Sequence, residues 1–98
     1  MSKTLDLLAF DLGASGGRAV LGRFDGERLH LSELHRFSNE PVRLPDGLHW
    51  DVLRLFAGVK RGLALCGEKH GRPASIGVDT WGVDFALLDR QGALVGNP

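Results

Sequence analysis

Leu5-Asp6-Leu7-Leu8-Ala9-Phe10-Asp11-Leu12-Gly13-Ala14-Ser15-Gly16-Gly17-Arg18 decides the fold. From Leu5 to Leu12 the chain is apolar except for Asp6 and Asp11. That is the length and make-up of a buried strand, not of a helix. Five small residues follow, Gly13 to Gly17, and then a second strand-like run from Arg18 to Phe24. Two strands joined by a glycine-rich turn are therefore expected. Asp25-Gly26 predicts a type I′ hairpin turn, because both residues tolerate the positive φ that this turn demands. A third strand is expected from Arg28 to about Phe37. Its alternation holds at Leu29 and Leu31 and slips to Leu34 and Phe37, which predicts a bulge near Ser32-Glu33.

Further along, the period changes. Asn39 to Gly47 reads as a loop with two prolines and a Pro45-Asp46-Gly47 turn. Val52, Leu55, Phe56, Val59, Leu63 and Cys66 then recur at intervals of three and four, on one face of a helix. Lys60, Arg61, Glu68 and Lys69 lie mostly off that face and read as a solvated surface. Asp51 is placed to cap the helix start, and Gly71 and Pro73 end it. Gly58 and Gly62 each weaken a helix by about 1 kcal/mol relative to alanine. Four residues apart on one side, they predict a helix lying close to a sheet. Ala74 to Asp79 reads as a short buried strand and Val83 to Asp89 as another. Arg90-Gln91-Gly92 turns into a last short strand, Ala93 to Val95. The order is α/β with a mixed sheet, in which hairpins come first and a helical crossover follows.

Composition narrows the function classes. With 98 residues the chain is one domain or part of one. Its 12 basic and 12 acidic residues cancel and are scattered, which argues against a nucleic-acid surface. The single cysteine, Cys66, forms no internal disulfide and suits a reducing compartment. No apolar run approaches the ~20 residues of a membrane span, and the first residues lack a signal peptide's apolar stretch. A soluble, cytoplasmic protein is expected. His30, His35, His49 and Cys66 lack zinc-site spacing.

Two segments carry candidate chemistry. In the first, a strand delivers Asp11 to its end, and Gly13, Ala14, Ser15, Gly16, Gly17 and Arg18 follow. Small residues let backbone amides approach an anion with no side chain in the way. Asp11 suits Mg²⁺, which takes one or two carboxylates beside its waters, and Ser15 adds a hydroxyl. An ordinary glycine-rich hairpin is the other reading. The segment is neither a Walker A loop nor a dinucleotide fingerprint, since no Gly-Lys-Ser/Thr is present and a strand follows the glycines. In the second segment, Asp79-Thr80-Trp81-Gly82-Val83-Asp84-Phe85, two carboxylates, a hydroxyl and an indole crowd the junction of two strands. Ligands of α/β proteins sit at such strand ends. Trp81 suits stacking on a sugar, Gly82 close backbone approach, and Asp84 acceptance from sugar hydroxyls. A Trp-Gly turn with capping aspartates is the alternative.

Asp-x-Gly-Ala-Ser-x-Gly-Arg at Asp11 to Arg18 resembles the first phosphate loop of the actin-like ATPase (ribonuclease H-like) fold, in the form used by the FGGY carbohydrate kinases. Asp79 to Phe85 resembles the early substrate segment of that family's rhamnulokinase branch. His35-Arg36-Phe37, Trp50-Asp51 and Ser75-Ile76-Gly77-Val78-Asp79 fall in the same order and spacing. The resemblance covers nearly the whole chain. It implies that residues 1–98 are the N-terminal part of the first actin-like domain of a longer, ATP- and Mg²⁺-dependent kinase. Such a kinase transfers the γ-phosphate to the C1 hydroxyl of L-rhamnulose, or acts on L-fuculose or another ketose. A non-catalytic nucleotide- or sugar-binding module and a filament-forming actin-like protein are the competing classes. By the same resemblance Gly13 to Arg18 contact ATP phosphates, Asp11 lies near the metal, and Thr80, Trp81, Gly82 and Asp84 meet the sugar. Gly16 departs from the pattern, standing where the family commonly has a second serine. The family's catalytic base and adenine pocket lie in segments not present here, so no catalytic residue is assigned. A truncated chain is expected from Asn97-Pro98, which follows a strand directly. It should lack turnover and self-associate through uncovered apolar surface.

Overall fold

The computed structural model describes residues 4–98. Strand β1 (Leu5–Leu12) and strand β2 (Gly16–Phe24) pair antiparallel from Leu5↔Phe24 to Leu12↔Gly17. The turn between them closes with the Gly13 amide donating to the Gly16 carbonyl at 2.9 Å. Strand β3 (Leu29–Ser38) pairs antiparallel with β2. The expected bulge is present one residue further on: Ala19 faces His35 and Val20 faces Glu33, which leaves Leu34 as the extra residue. The insertion turns Leu34 onto the core, where it packs beside Leu8, Phe10, Ala19, Leu21 and Cys66. Full burial of a side chain the size of Leu8 or Phe10 contributes roughly 1.5–3 kcal/mol.

The β2–β3 turn is not type I′. Of its residues only Gly26 has a positive φ, 102°. Asp25 instead closes a wider loop, with its Oδ1 accepting from the amides of Glu27 at 2.9 Å and Arg28 at 2.7 Å. Two charge-assisted hydrogen bonds to the backbone favour this over a left-handed aspartate. The loop expected at 39–47 also holds structure, a small hairpin of β4 (Val42–Leu44) and β5 (Gly47–His49). Pro45-Asp46 forms its tip.

Helix α1 spans Val52–Lys69, and Asp51 Oδ1 accepts from the Arg54 amide at 3.2 Å as its cap. It ends where the amides of His70 and Gly71 both reach the Cys66 carbonyl, at 2.8 and 3.0 Å, with Gly71 left-handed at φ 85°. The buried face is Leu55, Gly58, Gly62 and Cys66, with Val59 beside it. Phe56, expected on that face, is 59% exposed, and Leu63 is exposed as well. The glycines set the rotation. A Cβ on Gly62 would lie 2.7 Å from the Phe10 ring and 2.8 Å from Ala19 Cβ, and one on Gly58 would lie 2.7 Å from the Phe37 ring. The helix therefore rests directly on β2 and β3, and the apolar stripe is turned partly off the sheet.

Strand β6 (Ser75–Thr80) pairs parallel with β1, giving the sheet order β3-β2-β1-β6. The chain is thus α/β with a mixed four-stranded sheet, one helix and a helical crossover. β6 was expected to be buried and is not, because α1 covers β2 and β3. Ile76 and Val78 share the helix-side face with Leu8 and Phe10 yet are 53% and 62% exposed. The strands expected at Val83 to Asp89 and Ala93 to Val95 do not form. A single bridge joins Leu88 and Leu94, so Asp79 to Phe85 follows one strand and does not link two. The alternating residues Val83, Phe85 and Leu87 pair with neither edge strand of the sheet, β3 or β6. The cost in compactness is visible. The radius of gyration is 16.0 Å, against about 13 Å for a compact chain of this length. The accessible surface is 7244 Å², against about 5,500 Å² for a compact 10.6 kDa chain. No described helix is long and apolar enough to cross a membrane.

Candidate functional site

β1 and β6 run parallel and in register, so Leu12 and Thr80 end side by side. The two segments singled out in the sequence, Gly13 to Arg18 and Thr80 to Asp84, consequently leave the sheet at the same end. That is the end where α/β sheets receive ligands.

The glycine-rich turn is braced from beneath by a residue the sequence reading did not single out. Asn39 is the one buried polar residue among those described, at 4% exposure. Its Nδ2 donates to the Gly13 carbonyl at 3.0 Å, and its backbone amide reaches the Ser15 carbonyl at 3.4 Å. The carbonyls of the turn are thereby tied inward, while the amides of Ala14 and Ser15 donate to no described residue. Backbone amides left without a partner in a turn of small residues suit an anion. A cavity of about 350 Å³ opens here, lined by Ser15, Gly16, Gly17, Arg18, Arg36, Phe37 and Ser38. Ligand clefts commonly begin at about 300 Å³. Arg36 brings a second guanidinium to the cavity, in register with Arg18 on the neighbouring strand. It was legible only as part of His35-Arg36-Phe37, because the pairing that sets it beside Arg18 spans a hairpin and a bulge.

Charge is ordered across the sheet at this level. Arg36, Arg18, Asp11 and Asp79 are successive register partners on β3, β2, β1 and β6, on the face opposite α1. Arg18 Nη2 meets Asp11 Oδ2 at 2.7 Å, which raises the guanidinium pKa still further, and Arg36 pairs with Glu33 at 2.7 Å. Asp79 Oδ1 accepts from the Thr80 amide at 3.1 Å. Mg²⁺ takes one or two carboxylates and keeps several waters. Asp11 and Asp79 are two carboxylates side by side on parallel strands next to the glycine-rich turn. No cluster of three or more metal-ligating side chains occurs among the described residues, so an all-protein cage is not what this end of the sheet offers.

The second segment is built around Asp84. Trp81 Nε1 donates to Asp84 Oδ2 at 2.6 Å, and Trp50 Nε1 donates to the same oxygen at 3.0 Å. The two indole rings lie 4.9 Å apart, tilted by 54°. Val83, between the donor and acceptor of the turn, has φ 70° and is 98% exposed. A β-branched residue in that region is strained, and such residues concentrate at binding sites. A cavity of about 210 Å³ borders the pair, lined by Pro41, Leu48, His49, Trp50, Asp84 and Pro98. His49 Nδ1 faces the Asn97 carbonyl at 2.9 Å and Nε2 faces Asp46 at 2.8 Å. These two acceptors, the carbonyl first, raise its pKa. Thr80 and Gly82 are exposed, and a Cβ on Gly82 would meet nothing within 4 Å, so its backbone is open to a ligand. Burial pushes the Cys66 thiol pKa up, which removes it as a nucleophile at neutral pH.

The chain is 41% identical over 93 residues to a rhamnulokinase of Bacteroides thetaiotaomicron, covering 95% of this chain and 19% of that protein. It is similar to rhamnulokinases. A second, from Halalkalibacterium halodurans, is 45% identical over 84 residues, covering 86% of this chain and 18% of the relative. The chain therefore spans about a fifth of the length of the curated relatives it matches. No family model matches it. The similarity to rhamnulokinases runs through both candidate segments and supports a relationship to sugar kinases.

Proposed function

We propose that this chain is the amino-terminal portion, within the first actin-like domain, of an ATP-dependent sugar kinase of the FGGY type. Its reaction is transfer of the ATP γ-phosphate to the C1 hydroxyl of L-rhamnulose. The observation that carries the proposal is the shared exit of two chemically different loops from the parallel ends of β1 and β6. One is a turn of unpartnered amides with two guanidiniums. The other is a carboxylate flanked by indoles. Phosphoryl transfer requires a phosphate donor and a hydroxyl acceptor held in line, and little other covalent work from the protein. The neighbouring loops match the two halves of that requirement.

In this account the Ala14 and Ser15 amides, the Ser15 hydroxyl and Gly16 to Arg18 bind ATP phosphates, with Arg36 adding charge. Asp11 and Asp79 would hold Mg²⁺, which would supply charge neutralisation at the phosphate oxygens. Trp81 and Asp84 orient the ketose, with Thr80 and Gly82 lining its approach. The chain alone is not expected to turn over, because the base that accepts the sugar's proton is assigned to none of its residues. The test is product analysis by phosphorus NMR with the complete protein carrying these residues, supplied with ATP, Mg²⁺ and L-rhamnulose. A sugar 1-phosphate signal is expected. ATP consumption with no sugar phosphate, or phosphorylation of a different ketose only, contradicts the proposal.

A further inference from the structure

Asp84 is exposed, yet one of its oxygens is doubly committed. Oδ2 accepts from Trp81 Nε1, three residues away, and from Trp50 Nε1, thirty-four residues away. An exposed carboxylate ordinarily turns freely in water, and ordering it costs side-chain entropy. Two indole donors converging on one oxygen remove that freedom, because an indole has a single N–H and must bring its ring to the acceptor. Oδ1 receives no hydrogen bond from a described residue and is left as a directed acceptor. The rings that fix it pack against each other, with centroids 4.9 Å apart and a tilt of 54°. An oriented carboxylate beside an aromatic pair matches a polyol, which offers hydroxyl donors and apolar C–H patches on one small molecule.

Trp50 comes from a different part of the fold from Trp81. It sits between β5 and the cap of α1, and its backbone amide donates to the Pro98 carbonyl at 2.7 Å. Leu48, His49 and Trp50 line the 210 Å³ cavity together with Asp84. The turn after β6 is otherwise poorly held. Trp81 apart, its residues are exposed and Val83 is strained at φ 70°. The Trp50–Asp84 hydrogen bond and the packing of Trp50 on Trp81 thus tie this turn to the start of α1.

We infer that Trp50 is a positioning residue for polyol recognition: with Trp81 it clamps Asp84 so that Oδ1 faces the hydroxyls of a small sugar. The inference rests on the sugar-kinase reading for the identity of the ligand, and on the geometry for the clamp.

Two measurements separate them. The sequence has two tryptophans, so the ¹⁵N-labelled chain should give two indole N–H resonances. Asp84→Ala should shift both; a shift of Trp81 alone, or of neither, overturns the clamp whatever the protein does. In the complete protein, Trp50→Phe keeps a ring and deletes the donor. It should raise KM for L-rhamnulose about five- to tenfold with KM for ATP little changed, and Trp50→His, which restores an N–H, should recover part of the loss. An unchanged sugar KM overturns the inference and leaves the kinase reading standing. If the parent protein turns over no ketose, the kinase reading fails, and titration of the chain's indole resonances with L-rhamnulose decides the inference alone. Saturable shifts of both resonances sustain polyol recognition, and flat resonances overturn it.

Discussion

Replacing Gly62 with alanine should destabilise this chain, although the same change is favourable in an ordinary helix. Alanine is better than glycine in a helix interior by about 1 kcal/mol. At Gly62, however, the added Cβ would lie 2.7 Å from Phe10 Cε1, 3.3 Å from Phe10 Cζ and 2.8 Å from Ala19 Cβ. Separations under 3.0 Å force something to move. Phe10 is 1% exposed and Ala19 wholly buried, so neither has space to yield. Ala19 Cβ is moreover fixed to the backbone of β2, in the middle of the sheet. Overpacking of a filled core costs about 1–3 kcal/mol, and lifting the helix would also loosen Cys66 and Val59. Subtracting the helix gain leaves a net loss of up to about 2 kcal/mol. Gly67 is the internal control, since a Cβ there meets nothing within 4 Å. Gly67→Ala should be neutral or stabilising by up to about 1 kcal/mol. Urea unfolding followed by circular dichroism at 222 nm measures both; for a domain of this size each kcal/mol corresponds to about 4–8 °C in Tm. A Gly62→Ala chain stabilised by the full ~1 kcal/mol that an open helix position gains would refute the close contact of α1 with the sheet.

Three other outcomes follow from the same structure. Asn39→Ala leaves the Gly13 carbonyl without its buried donor and should cost about 1–3 kcal/mol, read by urea unfolding, while weakening ATP binding in the complete protein. Stability should be greatest in mildly acid solution. The pKa of Asp6 is lowered by its hydrogen bond from Arg23 and that of Asp25 by the Arg28 amide, so their contributions are present above the ordinary carboxylate range and lost as pH falls through it. His49 is raised, so its contribution is full below about 6.5 and lost as pH climbs through its folded value. A Tm profile should show both limbs, with Asp6→Asn flattening the acid one and His49→Gln the other. Finally, Ile76, Val78, Phe85 and Leu87 expose apolar surface along β6 and beyond, and sedimentation of the 98-residue chain should show self-association that Ile76→Lys reduces.

What the sequence disclosed, and what it hid, has physical causes. β1, β2, β3 and α1 were legible because each is specified by local chemistry: an apolar run, small turn residues, a capping aspartate. The helix face was misjudged by about one position because apolar side chains were counted, whereas the contact is made by the absence of side chains at Gly58 and Gly62. Val83 to Val95 carries a strand's alternation, but a strand needs a partner along its length, and among the described residues the segment finds only the single Leu88–Leu94 bridge. The candidate loops were both legible as glycine-rich and aspartate-bearing turns. Their adjacency was not, because it depends on the parallel register of β1 and β6. Asn39, Arg36 and Trp50 were not singled out for the candidate site for the same reason: each meets a partner far away in sequence.

The central claim is that the turn after β1 serves phosphate and the turn after β6 serves sugar in one reaction. Steady-state kinetics of the complete protein and two variants, by ADP release with L-rhamnulose, test it most directly. Asp11→Ala should lower kcat by at least ~10²-fold, since electrostatic stabilisation dominates phosphoryl transfer. Asp84→Asn should raise KM for the ketose roughly ten- to a hundredfold while KM for ATP holds. A near-normal kcat for Asp11→Ala, or a loss of ATP affinity with sugar affinity intact for Asp84→Asn, would contradict the assignment of the two loops.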